Sequence, residues 1–302
     1  MNTFLLNTAK FSFGEFLHEV VLHGLFDTLK IAVFLFLTYL FMEFIEHKSS
    51  EKFNAGITKA GTFGPVIGAG LGALPQCGFS AAAANLYTGG VISMGALCAI
   101  FLSTSDEMIA IMISGKVSAG AIFAVLGYKI AVGILVGFAV DFALRLMHVK
   151  RKEIDIDAIC ENDNCHCERG IFFSALHHTL TIGGFVLIIS IALNGAVYLI
   201  GEENLADILY ARPVISHAVA ALVGLIPNCA VSVLLSTLCV GGYITAGTML
   251  AGLFSGAGVG LLVLFRVNRS LKENLVVTAV IFTSGVVFGL LADLIGLSAL
   301  IG

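Results

Sequence analysis

The residues best able to do chemistry in this chain are set in apolar sequence. Pro75-Gln76-Cys77, with Ser80 shortly after, lies in one such stretch, and Pro227-Asn228-Cys229, with Ser232, lies in another. Thiols are soft ligands for metals and metalloids, while amide and hydroxyl oxygens are harder, neutral ones. Proline lacks an N–H and clashes with the preceding turn, so a helix stops there. The arm restarting near Gly78 or Ala230 then offers free N–H groups and a positive dipole end. A plain kink with small residues for close packing is the structural alternative. Retention of Pro, amide, Cys and Ser in both copies favours a site.

Two further groups belong with these tips. Ser103-Thr104-Ser105-Asp106-Glu107 interrupts an apolar segment, and Ser255-Gly256-Ala257-Gly258 interrupts another. A charged group at the bilayer centre costs about 3 kcal/mol on insertion scales, so Asp106 and Glu107 point to cation binding or uptake of a coupling proton. A short solvated loop is the duller reading of the same residues. Lys129 sits too deep in its apolar run to snorkel easily. It suits a salt bridge to Asp106 or Glu107, or an anion site, unless its helix starts later and it is a flank lysine. The expected substrate shell is Gln76, Cys77, Ser80, Ser103, Ser105, Asp106, Glu107, Asn228, Cys229, Ser232 and Ser255. The expected coupling groups are Asp106, Glu107 and Lys129.

A different kind of cluster occupies the middle of the chain. Cys160, Cys165, His166 and Cys167 fall within eight residues among acidic neighbours. Thiolates and an imidazole at this density can bind a soft or borderline metal. The C-x4-C-x-C spacing is not that of a structural zinc knuckle, and an acidic loop with incidental cysteines has the same composition. His177 and His178 could extend such a site.

The elements that must position these groups follow from composition. The 302 residues are 58% hydrophobic and 12% charged, with a mean hydropathy of +1.00. Apolar runs of about 20 residues, enough to cross a hydrocarbon core, recur along the chain. The expected class is an all-α polytopic membrane protein. There is no basic stripe for nucleic acid, no Walker motif and no HExxH or catalytic triad. An enzyme is therefore not expected, and no cofactor is called for. Residues 1–24 read as an amphipathic interfacial segment.

The two triplets belong to a long duplication. Pro75 and Pro227 are 152 positions apart, and so are Gly90/Gly242, Gly95/Gly247, Ser103/Ser255, Gly137/Gly289 and Asp141/Asp293. The chain divides into repeat 1 (25–147), a Cys/His/acidic loop (148–172) and repeat 2 (173–302). Each repeat should hold a full helix, a Pro-Cys re-entrant hairpin, a broken helix and a long closing helix. Asp141 and Asp293, near helix ends, suit a structural or interfacial role. Lysine and arginine mark the loops at 46–59, 148–170 and 266–272 as cytoplasmic, and the acidic loop at 201–212 as external. The first helices of the two repeats then run in opposite directions, so the repeats are inverted.

The string Pro75-Gln-Cys-Gly-Phe-Ser-Ala-Ala-Ala-Ala-Asn-Leu-Tyr-Thr-Gly-Gly-Val-Ile-Ser-Met-Gly95, followed by Phe101-Leu-Ser-Thr-Ser-Asp-Glu107, closely resembles a bacterial family of ten-helix heavy-metal exporters. Its members are labelled arsenic efflux proteins or manganese transporters, and the resemblance covers nearly the whole chain. The segment is also similar to permeases of organoarsenicals with a Pro-x-Cys-x-Cys-Gly motif, although Gly78 and Phe79 follow Cys77 here. The paired hairpins and broken helices look like the ion transporter superfamily that works by an elevator-like motion. The resemblance implies an efflux permease of the bacterial inner membrane, moving manganese, arsenite or a similar species on a proton or sodium gradient. A small-anion transporter using the hairpin N-termini and Lys129 is the alternative. The implied partners are the metal or metalloid ion, the coupling ion and the lipid bilayer, with a homodimer as a possible assembly.

Overall fold

The structure is a computed structural model, and it describes residues 25, 28–29, 32–33, 35–40, 63–74, 77–105, 107–148, 171–200 and 213–300. All regular structure among them is helical. Repeat 1 holds α1 (Gly64–Gly72), α2 (Cys77–Thr88), α3 (Met94–Ser103), α4 (Met108–Ser114) and α5 (Ala119–Leu146). Helix α6 (Ile171–Ile200) opens repeat 2. It is followed by α7 (Pro213–Gly224), α8 (Cys229–Val240), α9 (Ala246–Ser255), α10 (Val259–Val267) and α11 (Leu271–Leu294), with a 3-10 turn at Leu297–Leu300. Both ends of α2 and α3 recur 152 positions later in α8 and α9. Helix α6 starts slightly before the expected end of the central loop, so His178 is two turns inside it.

Local sequence explains where these helices begin. Ser93 caps α3 by accepting from the Ala96 N–H at 3.1 Å. Thr245 caps α9 in the same way through Thr248 N–H, also at 3.1 Å. Ser118 and Ser270 cap the long helices α5 and α11. Each such cap satisfies one orphan N–H and contributes about 1 kcal/mol. Between α2 and α3, and again between α8 and α9, the chain turns through Gly90 (φ 72°) and Gly242 (φ 75°), a conformation glycine adopts without steric cost.

The broken helices are the centre of the molecule. All ten residues of α3 and all ten of α9 are buried. The closing helices α5 and α11 lie outside them and expose Phe123, Phe142, Leu275 and Leu294. Met94–Ser114, Ala119–Leu146, Ala246–Val267 and Leu271–Leu294 are long and apolar enough to cross a membrane. At 1.5 Å per residue, their 21 to 28 residues reach about 30–40 Å. By contrast α1, α2, α7 and α8, with 9 to 12 residues each, cannot cross alone.

Packing follows the duplication. Helix α3 packs on α1 and α5, and α9 packs on α7 and α11. Gly95 lies against the Gly137 carbonyl, as Gly247 does against that of Gly289, so no Cβ fits at either crossing. Between repeats the pattern crosses over: α2 packs on α10, and α8 packs on α4. A side chain at Gly260 would put its Cβ 2.6 Å from the Ser80 Cβ and 2.7 Å from the Ser80 carbonyl carbon.

Candidate functional site at the helix breaks

Both apolar helices break where the sequence does. Helix α3 ends at Ser103, Thr104 and Ser105 are non-helical, and the Met108 N–H donates to the Ser105 carbonyl as α4 starts. Three donors converge on the Ile100 carbonyl: Thr104 N–H at 3.0 Å, Thr104 Oγ1 at 2.7 Å and Ser103 Oγ at 3.1 Å. Ser105 Oγ donates instead to the Ala73 carbonyl at 2.8 Å, tying the break to the end of α1. Glu107 is partly exposed at the N-cap position of α4 and makes no side-chain cap. Asp106 lies outside the described residues.

The second break is held differently. Ser255 Oγ donates to the Ala221 carbonyl of α7 at 2.6 Å. Gly256 N–H reaches the Gly252 carbonyl and Ala257 N–H turns back to that of Ser255. The Leu253 carbonyl receives Lys129 Nζ, 3.2 Å away and reaching across from α5. That ammonium also lies 5.3 Å from the centroid of the Phe254 ring. Lys129 is fully buried. A cation at the negative end of a helix, bonded to a freed carbonyl and facing an aromatic ring, is in a stabilising setting. Its counterpart in repeat 2 is Ile281, which is fully buried and can do none of this. Gly258, in the place of Asp106, has φ 52° and ψ −140°, accessible essentially only to glycine.

The second short-helix tip lies beside the second break, and the end of α1 beside the first. Cys77 opens α2, and Gln76 lies outside the described residues. Ser80 is fully buried at the crossing with Gly260. In repeat 2, Cys229 opens α8 and Asn228 caps it, Oδ1 accepting from Ala230 N–H at 2.9 Å. Asn228, Ser232, Leu253, Gly256 and Gly258 line a small cavity of about 10 Å³. That is room for one water-sized occupant. The structure therefore brings Asn228 and Ser232 together with the second break, and ties Ser105 to the end of α1. Among the described residues no group of three or more His, Cys, Asp or Glu gathers. The cluster Cys160, Cys165, His166 and Cys167 lies outside them.

Several polar groups escaped the sequence reading. Ser236, one turn beyond Ser232 on α8, is fully buried, and its hydroxyl finds no partner among the described residues. Tyr39 donates to Asn85 Oδ1 at 2.7 Å and stacks on His178, with ring centroids 5.0 Å apart. His178 is therefore packed inside the bundle, whereas His177 is exposed. Glu273 Oε2 accepts from the Tyr87 hydroxyl at 2.8 Å and from Asn268 Nδ2 at 3.2 Å, fixing the end of α2 to the α10–α11 turn. Asp141 and Asp293 are helix-end clasps. Asp141 accepts from Gly95 N–H and Ser93 Oγ, and Asp293 from Gly247 N–H and Thr245 Oγ1.

Among the described residues, four apolar spans, two of them the buried broken helices and two the closing helices packed outside them, define a multi-pass helical membrane protein. Residues 17–201 match the family model described as "Putative, 10TM heavy-metal exporter", and the chain belongs to that family. Membership places it among heavy-metal efflux transporters. No curated protein and no solved structure matches the chain. The family match ends before the second Pro-Asn-Cys triplet, yet residues 213–294 repeat the contacts of the matched half.

Proposed function

We propose that this protein is a secondary active transporter of the bacterial inner membrane that exports a metal or metalloid ion, such as manganese or arsenite, driven by a proton or sodium gradient. Its two repeats, 25–147 and 173–302, are inverted across the membrane, and each short-helix pair is a re-entrant hairpin. The linking loop is cytoplasmic, and its Cys160, Cys165, His166 and Cys167 capture the metal before transport. The observation that carries this reading is the crossed packing, in which the hairpin arm of each repeat lies on the broken helix of the other. Unwound backbone at membrane depth persists only where protein buries it or where it lines a cavity. Here it does both.

The substrate sits between the tips (Gln76, Cys77, Ser80; Asn228, Cys229, Ser232) and the breaks (Ser103, Ser105, Asp106, Glu107; Ser255). Because the cavity admits one water-sized occupant, a larger species requires the hairpin to move against the break. Asp106 or Glu107 binds the coupling ion, and Lys129 balances that charge. The anion alternative loses support at the second tip, where Asn228 already occupies the Ala230 N–H. The deciding experiment is uptake into everted membrane vesicles across a panel of divalent metals, arsenite and oxyanions. Gradient-dependent uptake of a metal or arsenite is expected. Uptake of none of them, or of oxyanions alone, would remove this reading.

A further inference from the structure

The two aspartate clasps differ in one respect that capping does not require. Asp141 holds the start of α3 through Ser93 Oγ at 2.8 Å and Gly95 N–H at 2.9 Å. Asp293 holds the start of α9 through the equivalent groups and gains two more partners. Ser298 Oγ donates to Oδ1 at 2.7 Å, and His217 Nε2 lies 2.9 Å from Oδ2. His217 occupies the position of Pro65 in repeat 1, so the imidazole has no counterpart there. It is buried on α7, while the Asp293 side chain keeps 23% of its exposure. Among the described residues, the other titratable group facing Asp293 is the Cys239 thiol at the end of α8. The remaining groups around it are hydroxyls and a backbone N–H.

We propose that His217 and Asp293 form the external proton-uptake site of the transporter. With neutral imidazole and ionised carboxylate the pair carries one negative charge, held on the carboxylate by donors from Thr245, Gly247 and Ser298, and an adjacent anion favours the protonated imidazole. One proton from the external solution, adding to the imidazole, converts it to a neutral ion pair hydrogen-bonded on both sides. Imidazole is the side chain suited to such a change. Sidedness fits this role. With the loop at 201–212 external, the α8–α9 turn and the end of α11 face outward. The imidazole-free clasp of Asp141 then faces the cytoplasm. An exporter driven by inward proton flow takes up its proton on the outer side and needs no acceptor of this kind on the inner one. The pair also bears on the site, because α7 runs from His217 to Gly224, which lines the cavity beside Asn228. This inference rests on the exporter reading and its orientation.

The test uses the full chain, with manganese(II) and, separately, arsenite as probes. His217→Gln keeps an amide donor for Asp293 but cannot take a proton. In proteoliposomes it should slow accumulation driven by a pH gradient on the order of 100-fold, the scale of losing a positioned proton-transfer group. Exchange of probe without any gradient should persist. Gradient-driven accumulation at the wild-type rate overturns the proposal, and so does loss of exchange together with accumulation, which marks a structural role. In parallel, nitrogen-15 histidine NMR of the whole protein in micelles follows the signal that His217→Gln removes. A signal that shifts on acidification is expected, and one that stays fixed overturns the proton site. If the wild type moves neither probe, manganese and arsenite are excluded as cargo and the NMR result alone decides the proton site.

Discussion

Lys129 on α5 donates from Nζ to the main-chain carbonyl of Leu253 on α9, linking the closing helix of one repeat to the broken helix of the other. The carbonyl is available because Ala257 N–H, which would take it in a continued helix, turns to Ser255 instead. The buried lysine thus closes a gap that the helix break creates. Leaving one buried acceptor unsatisfied costs about 1–3 kcal/mol. Lys129→Met, close in shape and without charge, should lower the thermal midpoint of the detergent-solubilised protein and abolish transport. An unchanged midpoint in differential scanning fluorimetry would show that the bond contributes nothing to the break.

The crossed packing makes Gly260 a sharp probe of how the repeats meet. An added Cβ would fall 2.6–2.8 Å from atoms of Ser80, two of them backbone, so the helices α2 and α10 must part. Overpacking of this kind costs about 1–3 kcal/mol. Gly260→Ala should destabilise the protein by that amount, whereas Gly120→Ala and Gly127→Ala, which meet nothing within 4 Å, should not. Comparable thermal midpoints for all three variants would contradict the close approach.

Ser236 separates a structural hydroxyl from a functional one. A buried hydroxyl with no partner among the described residues is a net cost, so its removal in Ser236→Ala should be neutral or stabilising. If the hydroxyl serves the transport path beside Ser232, Ser236→Ala should leave the thermal midpoint unchanged or higher while slowing vesicle uptake. Uptake at the wild-type rate would assign Ser236 to packing alone.

How far the sequence foretold these features depended on the kind of signal. Both helix breaks and the helix ends flanking both prolines were legible because serine, glycine and proline leave backbone groups unpaired in apolar sequence, and the 152-residue repeat marked each one twice. The depth of Lys129 was legible from its place in a long apolar run. Its partner was not, because a main-chain carbonyl carries no sequence signature. Asp141 and Asp293 were recognised as a symmetric pair, but their function as clasps depends on three-dimensional closeness to helix starts 46 residues earlier. His217 stood alone in its segment, and only the contrast with Pro65 at the matched position could have singled it out. Asn85 and Ser236 sit among small and apolar neighbours, where one polar residue reads as tolerated packing.

The chemistry of the tips yields the last prediction. Cys77 and Cys229 open α2 and α8, and serine at both positions keeps the size of each side chain while replacing soft sulfur by hard oxygen. If thiols bind the exported species, Cys77→Ser with Cys229→Ser should abolish arsenite efflux and leave manganese efflux largely intact. Asp106→Asn removes a hard anionic ligand and should have the opposite preference, unless Asp106 takes the coupling ion, in which case both substrates fail together. Efflux of each ion measured in cells carrying either variant separates these outcomes. Full arsenite resistance in the double serine variant would sink thiol ligation at the tips, and full transport of both ions by Asp106→Asn would remove that carboxylate from binding and coupling alike.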